Sequence, residues 1–162
     1  MKRFVILIAA SLIALPIIIS ESNAGSIAPR DGWAVHDTAQ GYADLLDSLK
    51  AAIKAEGMFI VTQAGPTGAA KKRGITIPGN RVVGVYRNDF AVSALATSTA
   101  AMIEAPIRFY VTENGDSTAT LSYKTPSAVF APYLDEGGAE LSAIAAELDG
   151  IFTAIASRAV GQ

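Results

Sequence analysis

The sequence predicts an α+β domain in which a curved antiparallel sheet carries two long helices on one face, in the order β-α-β4-α. Three observations lead there. Residues 105–123 (APIRFYVTENGDSTATLSY) alternate apolar and polar side chains on both sides of an Asn114-Gly115 turn signal, the period of two half-buried strands joined as a hairpin. Two long segments, near 37–56 and 139–159, place apolar residues at helical spacing. Short strand-like runs lie between them. Each long helix needs an apolar surface, only the sheet can supply one, and so both helices are expected on the same side of it.

The chain begins with an address rather than with structure. Lys2-Arg3 is a short basic start, Phe4 to Ile19 is an almost unbroken apolar run, and Ser22-Asn23-Ala24 offers small residues where a signal peptidase reads them. Residues 1–24 are therefore expected to be a cleaved bacterial export signal, with a periplasmic or secreted product beginning at Gly25. The alternative is an uncleaved anchor. Its apolar run is 16 residues and contains Pro16, short of the roughly 20 residues that a spanning helix needs, so no stable membrane insertion is expected after cleavage. Residues 25–32 (GSIAPRDG) have no period and are expected to form a flexible leader to a single domain over 33–162.

Trp33 to His36 is a short strand with Trp33 and Val35 facing one way. Asp37 is placed to cap the first helix, with Gln40 at the capping-box spacing. Tyr42, Leu45, Leu46, Leu49 and Ile53 form that helix's apolar stripe, Asp44, Asp47, Lys50 and Lys54 face water, and Gly57 ends it. Met58 to Thr62 is apolar at most positions and is expected to be a central strand covered on both faces. Pro66 suits a first helical position and Gly74 the end of a two-turn helix. Arg81 to Arg87 is another strand, and residues 89–102 suggest one or two short helices.

The hairpin's parity follows from matching its faces. A two-residue Asn-Gly loop would set Val111 opposite Thr118 and mix polar with apolar. A three-residue loop, Glu113-Asn114-Gly115 with Gly115 left-handed, keeps Ile107, Phe109, Val111, Ala119 and Leu121 on one face. Arg108, Tyr110, Thr112, Thr118, Thr120 and Ser122 then share the other. Beyond it come a helical turn over Ser127 to Tyr133, a break at Gly137-Gly138, and a last helix striped by Leu141, Ile144, Leu148, Ile151, Phe152 and Ile155.

Charge and composition narrow the chemistry. The formal net charge of the 162 residues is −2; the signal removes Lys2, Arg3 and Glu21, a net +1, and leaves −3. That balance lacks the basic footprint of a nucleic-acid binder. There is no cysteine, so thiol chemistry and cysteine metal sites are excluded, and His36 is the single histidine. No G-x-S-x-G or S-x-x-K pattern occurs, and Gly65-x-x-Gly68 with Lys71 lacks the spacing of a phosphate loop. Lys71-Lys72-Arg73 reads as a solvated helix end, where cations favour the negative pole of the dipole. Asp135-Glu136 offers too few oxygens in sequence for calcium. Neither a cofactor nor a metal is expected.

A resemblance stands beside these readings. Glu56-Gly57-Met58-Phe59, Ala70-Lys71-Lys72-Arg73-Gly74 followed by Ile77-Pro78, the strand Val82 to Tyr86, Ala105-Pro106-Ile107-Arg108-Phe109-Tyr110-Val111 and the later Leu121-Ser122-Tyr123 occur in an order that resembles the domain of unknown function 302 family, from Thr38 through Tyr123. The resemblance implies a fold similar to the TATA-binding protein, frequent dimers and no established activity. Members often carry Asp-His where this chain has Gly65-Pro66, and Gly-Asn-Pro where it has Arg87-Asn88-Asp89. Likeness to a DNA binder carries no function by itself, since sites rather than folds determine function.

Two functions of different class follow. The first is a non-enzymatic exported domain that binds a small molecule, or a second copy of itself, through the polar sheet face with Arg108, Tyr110 and Thr120 or through the groove beside the last helix. The second is a small hydrolase or isomerase using Tyr86, Arg87, Asp89 and Arg108. Without a cysteine or a second histidine, the first is favoured.

Overall fold

A computed structural model describes residues 27–162, and the export segment read at 1–24 lies outside the described residues. Five strands, β1 (Trp33–Thr38), β2 (Phe59–Ala64), β3 (Asn80–Tyr86), β4 (Ile107–Glu113) and β5 (Ala119–Lys124), form one antiparallel sheet in the order β1-β5-β4-β3-β2. The helices are α1 (Tyr42–Ala55), α2 (Thr67–Lys72), α3 (Asn88–Thr97), α4 (Pro126–Phe130) and α5 (Leu134–Val160), with a 3-10 turn at Ala100–Glu104. The expected α+β architecture is present, with the hairpin β4-β5 at the centre of the sheet.

The two long helices pack against each other and against one sheet face. Leu45, Leu49 and Ile53 of α1 and Leu141, Leu148, Phe152 and Ile155 of α5 meet Val83, Phe109, Val111 and Leu121 of the sheet. Phe109 lies at the middle. Its ring stacks on Phe152 at 4.5 Å and meets Tyr123 edge-on at 5.1 Å, geometries that add about 0.5–1.5 kcal/mol each beyond the burial itself. The α5 span is broken at Gly138, whose φ of 56° and ψ of −147° suit a residue without a Cβ. Regular helix therefore begins at Ala139, as the sequence implies.

Four expectations need correction. The first helix does not start from Asp37. Asp37 and Thr38 instead extend β1, paired with Thr120 and Ala119, and Gly41 stands at the helix N-cap. Gln40 spends its side chain elsewhere, donating to the Ala159 carbonyl (2.8 Å) and accepting from Ser48 (3.1 Å). Pro66 takes the N-cap of α2, one residue ahead of the first helical position.

The strand β2 is an edge strand, not a central one. Phe59 and Val61 are 63% and 50% exposed, and the pairing with β3 slips between Ile60 and Thr62. A short apolar run reads the same whether or not a further strand lies beside it, and here β4 occupies the only other side of β3.

The hairpin keeps the predicted faces but turns two residues later. Val111 pairs with Leu121 and Phe109 with Tyr123; Asn114 N–H donates to the Thr118 carbonyl at 2.8 Å, so the loop is Gly115-Asp116-Ser117. Ser117, not Gly115, takes the left-handed position at φ 69°. Side-chain bonding outweighs glycine's freedom. Asp116 accepts from the Thr118 amide (3.0 Å) and hydroxyl (2.6 Å), and Asn114 donates to Thr118 Oγ1 (2.9 Å). The same bonds hold the Asp116 carboxyl below its ordinary pKa.

Candidate functional site: a cationic groove on the open sheet face

Among the described residues the two long helices leave the other sheet face free, and the ladder pairings place its side chains in rows. One row runs from Trp33 to Lys124 on the neighbouring strand, then to Arg108, which stands one step beyond the Phe109–Tyr123 pair and therefore opposite Lys124, then to Gly84, and ends at Thr62 on β2. The next runs through Val35, Ser122, Tyr110 and Val82. Gly84 is needed where it is: a Cβ there would collide with Thr62 Oγ1 and lie 2.9 Å from Pro106 Cγ.

Part of these rows floors a groove of about 570 Å³. Trp33, Lys124, Arg108, Tyr110, Asn80 and Val82 line it from the sheet, Glu104 from the 3-10 turn, and Ala128, Val129 and Pro132 from α4 and the residues after it. Its size matches that of small-molecule sites. The Trp33 indole has the Arg30 guanidinium over it at 5.1 Å and the Lys124 ammonium at 6.0 Å. Tyr110 Oη accepts from the Asn80 amide. Glu104 accepts from Tyr133 Oη at 2.7 Å, and that bond raises the Tyr133 pKa. Arg108 and Lys124 take part in none of the ion pairs among the described residues.

Of the six residues singled out in the sequence, the structure brings Arg108 and Tyr110 into this groove and leaves four elsewhere. Arg87 turns to Asp89, 2.8 Å away, and lies over the Phe90 ring at 4.1 Å; the Arg87 bond lowers the Asp89 pKa. Tyr86 and Arg87 border an apolar cavity of about 40 Å³ beside Met58, Phe90 and Phe152, too small for an organic ligand. Thr120 is fully buried, its hydroxyl 2.8 Å from Asp37 Oδ1 and 3.1 Å from Asn114 Oδ1, and it ties the sheet together rather than meeting a ligand. The constellation of Tyr86, Arg87, Asp89 and Arg108 does not form, because Arg87 and Arg108 serve opposite faces of the sheet.

Sequence reasoning missed Trp33, Lys124 and Glu104. The strand period gives Trp33 a face, but only the pairing of β1 with β5 sets it beside Lys124. His36 lies on the helix side, stacked on Tyr123 at 6.1 Å, with Nε2 buried and unpartnered and its pKa pushed down by burial. Among the described residues no group of three His, Asp or Glu side chains is placed to hold a metal, and no helix there is long and apolar enough to cross a membrane. Lys71, Lys72 and Arg73 are exposed at the end of α2.

The model of the DUF302 family, described as a domain of unknown function, matches residues 35–156. The chain belongs to the DUF302 family. The resemblance seen in the sequence is thus borne out over a longer stretch. The chain is also similar in fold to a crystal structure of an uncharacterised conserved DUF302 protein from Bacillus stearothermophilus, with a TM-score of 0.70 and 18% identity over 80% of this chain and 98% of that one. No curated protein matches the chain.

Proposed function

We propose that this DUF302 chain is an exported, non-catalytic binding protein that seats a small molecule in the groove on its open sheet face. One observation carries the reading: aromatic, cationic and amide side chains from four strands converge on a 570 Å³ groove on the sheet face away from the two long helices. The pairing of Arg87 with Asp89, away from the groove, favours this reading over a hydrolase or isomerase built on those residues. Export is supported by Lys2-Arg3, the apolar run to Ile19 and Ser22-Asn23-Ala24.

The groove is tested by melting the protein in the presence of a chemically diverse small-molecule library. A ligand at a hundred times its Kd adds about 2.7 kcal/mol, so binders should raise the melting temperature of the wild type. They should not raise that of Val82→Trp, which fills the groove. A library without effect on the wild type, or with equal effect on Val82→Trp, would overturn the reading. Mass spectrometry of periplasmic protein should find Gly25 at the N-terminus; an intact Met1 to Ala24 would revive the anchor.

A second reading is association of two copies. It draws on Phe59 and Val61, apolar and more than half or half exposed on the edge strand β2, where unpaired backbone groups invite another strand.

A further inference from the structure

We infer that the groove takes a small organic anion, its charged group held between Arg108 and Lys124 and its apolar body laid along Val82, Val129 and Pro132. The inference rests on the groove being a ligand seat and adds the ligand's chemical class. It starts from a cost in the unliganded fold. Register sets Arg108 and Lys124 directly across from each other on β4 and β5, and like charges placed so destabilise a sheet. Here neither cation has an ion-pair partner among the described residues. The one acid among the residues that line the groove, Glu104, accepts from the Tyr133 hydroxyl at 2.7 Å and pairs with neither cation.

The arrangement keeps the two cations poised. Gly84, flanking Arg108 on β3, adds no side chain that could bond the guanidinium. On the other side Lys124 lies over the Trp33 indole, and Arg30 approaches the same ring, so a third positive charge adds to the local field. An anion entering between Arg108 and Lys124 would offset this repulsion. It would also gain charge-assisted hydrogen bonds, with the guanidinium fork suited to a carboxylate or a phosphate. The apolar wall favours an organic anion over an inorganic one, because an apolar body laid on Val82, Val129 and Pro132 takes their surface out of water.

Trp33 is the only tryptophan and reports the site by its own fluorescence. Four probes of similar size differ in charge: benzoate and phenyl phosphate are anions, benzamide is neutral and benzylammonium is a cation. The expected result is saturable change with at least one anion, at a Kd about tenfold or more below that of benzamide, and no saturation with benzylammonium. Arg108→Gln should weaken the anion about tenfold or more, the effect of losing one charge-assisted bond, and leave benzamide unchanged. The ratio of benzoate to phenyl phosphate affinity distinguishes a carboxylate ligand from a phosphorylated one. Lys124→Gln should weaken the anion too, while its unfolding midpoint without ligand stays equal to or above that of the wild type. Equal affinities across the charge series, or an Arg108→Gln variant that binds benzoate undiminished, would overturn the anion inference while the groove reading survives. Silence from all four probes, with the library in the melting assay also without effect, would remove both.

Discussion

Phe109 and Thr120 lie on opposite faces of the same hairpin, and both are completely buried. Burial means different things for the two. Phe109 fills the aromatic cluster between sheet and helices, so Phe109→Ala should destabilise by about 3–5 kcal/mol in chemical denaturation. Thr120 is enclosed by its neighbours on the face away from the two long helices, and its contribution is the bond to Asp37. Thr120→Val keeps the shape and should cost only about 1 kcal/mol, the net worth of a hydrogen bond. Equal losses for the two variants would contradict this division. His36 makes a second residue-scale prediction. Burial lowers its folded pKa below the ordinary 6.5, so the native state binds fewer protons than the unfolded one. The stability is fully present above about pH 6.5 and is lost as pH falls through the folded pKa. In urea titrations at several pH values, His36→Gln should flatten the decline between about pH 7 and 5; an unchanged slope would exclude His36 as its source.

Among the elements, the hairpin loop shows how local chemistry chooses a turn. Gly115 is available for the left-handed position, yet Ser117 occupies it because Asp116 and Asn114 both bond Thr118. A residue with a Cβ at φ 69° is strained by about 1–2 kcal/mol, partly offset by glycine's greater freedom when unfolded. Ser117→Gly should therefore raise stability by about 0.5–1 kcal/mol, read from the denaturation midpoint. A loss instead would mean that the serine side chain supports the turn. The start of α1 teaches the same lesson. Asp37 has the right spacing to cap, but in β1 its carboxylate has a better use against Thr120.

At the scale of the molecule, the sheet divides the protein into a dry side with both long helices and a wet side with the groove. Among the described residues, the cationic row and the β2 edge are both left without cover. They predict different assemblies. If copies associate through β2, Phe59→Lys should shift sedimentation toward monomer and leave anion binding at Arg108 intact. If wild type sediments as a monomer at high concentration, the edge is guarded well enough by its own bulge.

Side-chain period and helix-breaking glycines carried much of this protein in one dimension. Alternation in 107–123 set the hairpin's faces, the Leu45-Leu49-Ile53 and Leu148-Phe152-Ile155 stripes set both helices' inner sides, and Gly57 and Gly138 mark breaks that only backbone conformation explains. These are properties of neighbours a few residues apart, so the sequence determines them. The order of strands is not. That β2 is an edge, that Asp37 belongs to a strand and that Arg87 turns away from Arg108 all depend on which distant segments lie alongside. The groove is the strongest case. Trp33 and Lys124 are separated by most of the domain's length, and neither has a local signature. Only the pairing of β1 with β5, and of β5 with β4, brings an indole and two cations into one row, because interstrand register is decided by the packed core on the sheet's far side.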